Sequence, residues 1–380
     1  MTLRSLPSLL RAEPAMVDMV SAGSTAVAVP EAAAPYVLAG LCRLGERRPV
    51  LAVTATVADA ERLSHDAAAF LGPEAVALFP AWDTLPFERV SPETATIGRR
   101  LHVLWRLGVG RDGDEGAEAP QLVVAPVRAL LQRLGPVEQT AVPVAVSRGQ
   151  RLDQAELVEQ LVSMGYRREY QVEHRGELAV RGGIVDVFPS DAELPVRIDL
   201  WGDEVDRLTD FDPGDQRSRD DLDHAFLHAC HELLPTDEVR ARAAVLVGEE
   251  PWGAAQWERI ADGQLFDGME SWTPWLGGEE RLLPDLLPSG ARVVLVDPRR
   301  TRHRAGELLD EEQSLAAALA VTWGAVTDAA GGEGRAFPPL HLPYDRLLER
   351  TGAPVLSRVP AAEGPAMTAV TAPGWDPVLG

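Results

Sequence analysis

The sequence predicts an α/β fold in which a parallel sheet is interrupted by an inserted α+β domain built on an antiparallel sheet. Three observations carry this. Short apolar runs alternate with helical patterns over residues 1–136 and again beyond Leu233, as strands joined by crossover helices do. Between them, Gly176 to Ser218 alternates apolar and polar residues with a period of two, broken by glycine turns, which reads as a four-strand antiparallel meander. With 380 residues, 46% of them hydrophobic and including 9 Trp and 8 Phe, the chain can fill two or three cores.

The elements follow in order. Pro49 to Val53 is a short apolar strand, and Thr54 precedes a helix with Val57, Ala60, Leu63, Ala67 and Phe70 on one stripe. Ala75 to Phe79 is the next strand. Past the loop WDTLPFERVSPE, Ile97, Leu101, Leu104 and Leu107 recur at helical spacing, and residues 122–125 form a buried strand. The inserted domain, residues 137–232, opens with a helix from Gln150 to Met164 whose Leu152, Leu157, Leu161 and Val162 face inward. In the meander, Val196, Ile198 and Leu200 point to the core while Arg197, Asp199 and Trp201 point the other way. Gly182-Gly183 and Gly202-Asp203 supply the tight turns. Within residues 233–351, Trp252 and Trp257 lie in a helix, Arg292 to Val296 is a strand, and Asp297-Pro298 opens a loop into a helix around Leu308. Residues 352–380, rich in Ala, Pro, Thr and Gly, read as a linker or truncated end.

Composition narrows the function. No apolar run approaches the roughly 18 residues that span a bilayer, and Met1 to Val20 carries Glu13 and Asp18 without a signal-type core, so no membrane association is expected and the expected compartment is the cytoplasm. Cys42 and Cys230, far apart, read as two buried free thiols. A formal charge of -22 argues against a chain whose main task is gripping phosphates. Every basic side chain other than histidine is an arginine. A phosphate-binding Walker loop and Schiff-base catalysis both need a lysine, so neither is available, and no catalytic residue or cofactor site is expected.

The leading candidate site is the face bearing Arg181, Arg197 and Trp201, because arginine and tryptophan dominate protein-interface hot spots. The competing arrangement is a solvated Arg197/Asp199 pair with Trp201 folded onto the neighbouring helix. Trp82 and Phe87 are expected to pack their loop onto the sheet rather than to stack on bases. His224, His228, Cys230, His231 and Glu232 cluster in sequence but match no zinc spacing, so no metal is expected there. Asp310-Glu311-Glu312 reads as a solvated helix face.

RGGIVDVFP followed by RIDLWGDEVDRLTDFDPGDQRS resembles the second domain of the transcription-repair coupling factor family (Mfd) and of its excision-repair relative UvrB. LFPAWDTLPFERVSPETATIGRRLHVLWRL and VVAPVRALLQRLGP resemble the family's first domain, and LLPTDE, GMESWTPWL and VVLVDPRR continue the match in order. The resemblance implies a degenerate RecA-like parallel-sheet domain (1a and 1b) split by the inserted domain 2. It also implies that domain 2 binds UvrA through Arg181, Arg197 and Trp201. On that view, changing either arginine to glutamate abolishes UvrA binding without unfolding the domain.

The stretch AGSTAVAVPEAAAPYVLAGL stands where UvrB has its Walker loop and lacks that motif, and no room remains after Phe87 for UvrB's DNA-clamping hairpin. In the family, later parts contact RNA polymerase and form a DNA translocase using ATP and Mg. The expectation is therefore an N-terminal module that recruits UvrA to a stalled polymerase and hydrolyses no ATP. The rival, a UvrB-like helicase/ATPase subunit, conflicts with the missing lysine.

Overall fold

The computed structural model describes residues 3–21, 25–110, 118–322, 337–349, 355–357 and 368–369. Its strands in chain order are β1 (Ala26–Ala28), β2 (Val50–Thr54), β3 (Val76–Leu78), β4 (Leu122–Pro126), β5 (Val144–Ser147), β6 (Arg167–Arg168), β7 (Glu177–Arg181) and β8 (Ile184–Val187). They continue with β9 (Val196–Trp201), β10 (Glu204–Phe211), β11 (Ser218–Asp221), β12 (His224–Leu227), β13 (Arg292–Val296), β14 (Val355–Ser357) and β15 (Thr368–Ala369).

A seven-stranded parallel sheet runs β15-β1-β14-β13-β2-β4-β3. The strands β2, β4 and β13 are buried at every residue, as strands covered on both faces must be. Its strands come from both sides of the antiparallel unit in sequence: Val50 to Val53 of β2 pair with Arg292 to Leu295 of β13. Three strands of this sheet were not foreseen. β1 lies within the stretch compared with a Walker loop, and β14 and β15 come from the segment expected as linker.

Local chemistry sets the helix limits. The Thr56 hydroxyl accepts the Asp59 N–H at 3.2 Å and caps the Val57–Leu71 helix, which ends at Gly72 with φ +102°. Thr56, not Thr54, is thus the cap, and Val57 is exposed because it opens the first turn. Asp153 caps the Gln154–Ser163 helix by accepting the N–H groups of Ala155 and Glu156. Leu157 and Leu161 are buried as expected, whereas Val162 is exposed and Leu152 precedes the helix. The Pro298–Thr322 helix starts directly after Asp297 with no intervening loop, its proline where a helix needs no N–H. On it Asp310 and Glu311 are exposed, but Glu312 is buried and accepts the His341 N–H at 3.2 Å, so the expected solvated face holds for only two of the three acids.

A six-stranded sheet, β11-β10-β9-β8-β7-β6, contains the predicted four-strand meander as β7 to β10, with β6 added in parallel at one edge and β11 antiparallel at the other. The strands β5 and β12 pair separately as an antiparallel ribbon, Val144 opposite Leu227. One hydrophobic cluster joins Leu51, Phe79 and Ile97 of the parallel layer to Leu161, Val185 and Ile198 of the antiparallel unit. A second core gathers Trp257, Trp272, Trp275, Phe87 and Phe337. Phe87 and Trp82 are both buried, but Phe87 packs against Trp275 and Phe337 in the tryptophan-rich core rather than onto the sheet. Among the described residues no helix is long and apolar enough to cross a membrane.

The Thr94–Arg106 helix meets the antiparallel unit at Gly98, where a Cβ would lie 2.5 Å from the Ser190 carbonyl carbon and 2.6 Å from the Asp191 nitrogen. Replacing glycine by alanine gains about 1 kcal/mol of helix propensity, but forcing atoms into a filled contact costs about 1–3 kcal/mol, and here the neighbours are backbone. Gly98→Ala is therefore expected to lower the thermal midpoint; a raised midpoint in a melting experiment would show that the two elements can separate freely.

Candidate protein-binding face

Directly opposed residues on neighbouring strands share a face. Asp186 lies opposite Arg197, Ile184 opposite Asp199 and Arg181 opposite Ile184, so these side chains project together from the side away from buried Val185, Val187, Val196 and Ile198. Trp201, two residues beyond Asp199, joins them. The three residues singled out from the sequence are thus on one face.

They are not equally open. Trp201 is 83% exposed at the end of β9, beside the turn at Gly202, whose φ is +66°. The Arg181 side chain is 40% exposed and that of Arg197 only 15%. Asp186 explains the difference. Its carboxylate is fully buried and takes a bidentate pair from Arg197, Nε to Oδ1 at 2.7 Å and Nη2 to Oδ2 at 3.0 Å, together with an N–H from Arg181. Arg197 also donates to the Gln216 carbonyl at 3.1 Å and lies 4.7 Å over the Phe211 ring. Hydrogen bonding to Asp186 raises the Arg197 pKa against the opposing effect of burial. Burial likewise raises the Asp199 pKa, while Arg197 and Arg207 pull it down.

One end of this face is covered. Val172 packs with Ala179, Phe188 and Phe211, and its carbonyl accepts the Gln216 side-chain amide at 3.1 Å. Arg197 belongs to that covered end, so reversing its charge is expected to disturb the fold as well as any partner contact. Trp201 and Arg181 belong to the open end. Folding of Trp201 onto the neighbouring helix, the competing arrangement, is not what the structure has.

Residues 144–232 match the UvrB interaction domain family. A transcription-repair-coupling factor of Mycobacterium tuberculosis is 40% identical over 292 residues, covering 74% of this chain and 23% of that protein. Those of Haemophilus influenzae and Escherichia coli are each 32% identical, over 257 residues (66% of this chain, 22% of theirs) and 236 residues (60% and 19%). The chain is a relative of the transcription-repair-coupling factors. It spans less than a quarter of the length of these relatives.

Two features of the interaction domain escaped the sequence reading. Asp186 sits in the outward phase of GGIVDVFP, so the period of two could have placed it between the arginines. Tyr170, 88% exposed, lies just ahead of Val172, outside the meander. The histidine-rich run also disperses. Glu232 pairs with buried Arg100 and accepts the Trp82 indole N–H at 3.0 Å, His231 turns to Glu270, and Cys230 is buried with its thiol pKa pushed up by desolvation.

His231 Nδ1 and Glu270 Oε1 are 2.7 Å apart, tying the interaction domain to the 3-10 turn Met269–Trp272. Burial works against the imidazolium, but the hydrogen bond to Glu270 and the charges of Glu270 and Asp267 outweigh it and raise the His231 pKa. A raised folded pKa gives stability that is complete below the unfolded value of about 6.5 and lost as pH climbs through the folded value. The urea midpoint of His231→Gln is thus expected to fall below the parent's in mildly acidic buffer, with the gap closing in alkaline buffer. A gap that widened with pH would contradict the charged pair.

Proposed function

We propose that this chain is the UvrA-recruiting module of a transcription-repair-coupling factor, a split RecA-like parallel-sheet domain carrying the UvrA-binding domain as an insertion. On this reading residues 1–136 and 233–351 are the two halves, their sheet completed by β14 and β15 from the stretch that follows, and 137–232 is the insertion, acting in the cytoplasm. The observation that supports it best is an indole 83% open to solvent on the interaction domain's sheet, beside a guanidinium held in place by a buried carboxylate. Trp201 supplies apolar contact area, Arg181 directional donors, and Arg197 holds Asp186 and so the pose of Arg181. The contacts to RNA polymerase and DNA, and the ATP- and Mg-dependent translocation, belong on this reading to parts of a full-length protein outside this sequence.

A catalytically active UvrB-like subunit is disfavoured, since the chain has no lysine to hold a nucleotide's phosphates. The test is a titration of purified UvrA with the chain, with ATP hydrolysis by the chain followed in parallel. Saturable UvrA binding without hydrolysis is the expected result. Absence of binding, or turnover by the chain alone, overturns the reading.

A further inference from the structure

We propose that His102, Asp191 and His228 form a transition-metal site, suited to Zn²⁺, that staples the Thr94–Arg106 helix to the interaction domain. The three come from separate elements: the helix, the loop after β8, and the chain just beyond β12. His102 Nδ1 is 3.0 Å and His228 Nε2 4.0 Å from Asp191 Oδ2, and the three donor atoms lie within 4.8 Å of one another.

The second observation concerns His228. Its side chain is fully buried, and neither ring nitrogen has a partner of full hydrogen-bonding geometry, the Ala141 backbone making only a poorly aligned polar contact with it; His102 Nδ1 also has none of hydrogen-bonding geometry. A buried imidazole without a well-formed hydrogen bond forfeits about 1–3 kcal/mol for each unsatisfied group, and a bound ion is one of the few explanations native proteins offer. The rest of His228 is firmly held. Its carbonyl accepts the Tyr166 hydroxyl at 2.8 Å and the Ser190 hydroxyl at 3.1 Å, and the Trp105 and imidazole rings sit edge to face with their centroids 5.6 Å apart. The ring is therefore anchored with its Nε2 nearest Asp191.

Donor chemistry selects the ion class. Two imidazoles and one carboxylate suit Zn²⁺ and its neighbours, whereas Mg²⁺ and Ca²⁺ seek oxygen cages. Tetrahedral zinc with bonds of about 2.0–2.1 Å sets its donors roughly 3.3 Å apart, so closure requires movements on the order of 1 Å. His102, with 34% of its side chain exposed, is the ligand free to make them, and Asp191 at 16% leaves the site a path to solvent. Three protein ligands leave a fourth position for water. The close approach at Gly98 brings the helix to the Asp191 backbone and makes the cluster possible.

Chelator-stripped chain is titrated with Co²⁺ and then Zn²⁺. One equivalent of cobalt giving the visible absorption of a tetrahedral site, displaced by zinc with a higher thermal midpoint, is the expected result. Asp191→Asn and His102→Ala alter partly exposed groups, so circular dichroism can verify their folding. Each is expected to weaken metal binding by more than the roughly 10–100-fold that loss of an outer-shell partner costs. No absorption and no midpoint shift in the parent overturns the site, as does absorption that survives in both folded variants. Neither result depends on UvrA.

Discussion

Arg197→Glu is expected to unfold the interaction domain at far lower denaturant than the parent. Asp186 is fully buried, and two of its hydrogen bonds come from Arg197. Removing one partner of a buried ion pair costs about 3–5 kcal/mol, because the remaining charge is stranded, and glutamate adds a like charge opposite it. Phe211 also loses the guanidinium above its ring. Urea unfolding of the purified variant measures the effect. A midpoint within error of the parent's would mean that Asp186 finds other partners, and the network would then be surface ornament. Loss of UvrA binding in this variant would by itself say little about contact, so Arg197 is the wrong residue for probing the interface directly.

Trp201→Ala is expected to weaken UvrA binding by about 2 kcal/mol or more, roughly 30-fold, while leaving stability unchanged. The indole is 83% exposed, and substitutions of such surface groups move stability by only about 0.5 kcal/mol. Paired titration calorimetry and thermal melts separate the two quantities. Affinity equal to the parent's would remove Trp201 from the interface and leave Arg181 and Tyr170 as the groups to examine. A fall in both affinity and midpoint would show that the ring serves the fold.

The contrast between Trp201 and Arg197 shows how far the sequence could be read. A period of two assigns side chains to faces, and it placed Arg181, Arg197 and Trp201 together correctly. It carries no information on what covers a face. Val172, Phe188 and Phe211 close one end through contacts between separate segments, and that made Arg197 half-structural. The same limit explains Glu232, adjacent in sequence to histidines but bound to Arg100 from a distant helix. The strands β2, β4 and β13 were legible as continuous apolar runs, whereas β14 and β15, only three and two residues long in a Pro- and Ala-rich stretch, have no period to detect. His102, Asp191 and His228 share no motif at all, since the fold alone brings them within reach of one another.

The ribbon of β5 and β12 has a mechanical meaning. With Val144 facing Leu227, the polypeptide enters and leaves the interaction domain through one doorway whose two sides are bonded to each other. A partner tugging on Trp201 strains both jambs at once, so traction reaches the parallel sheet evenly instead of peeling a single strand.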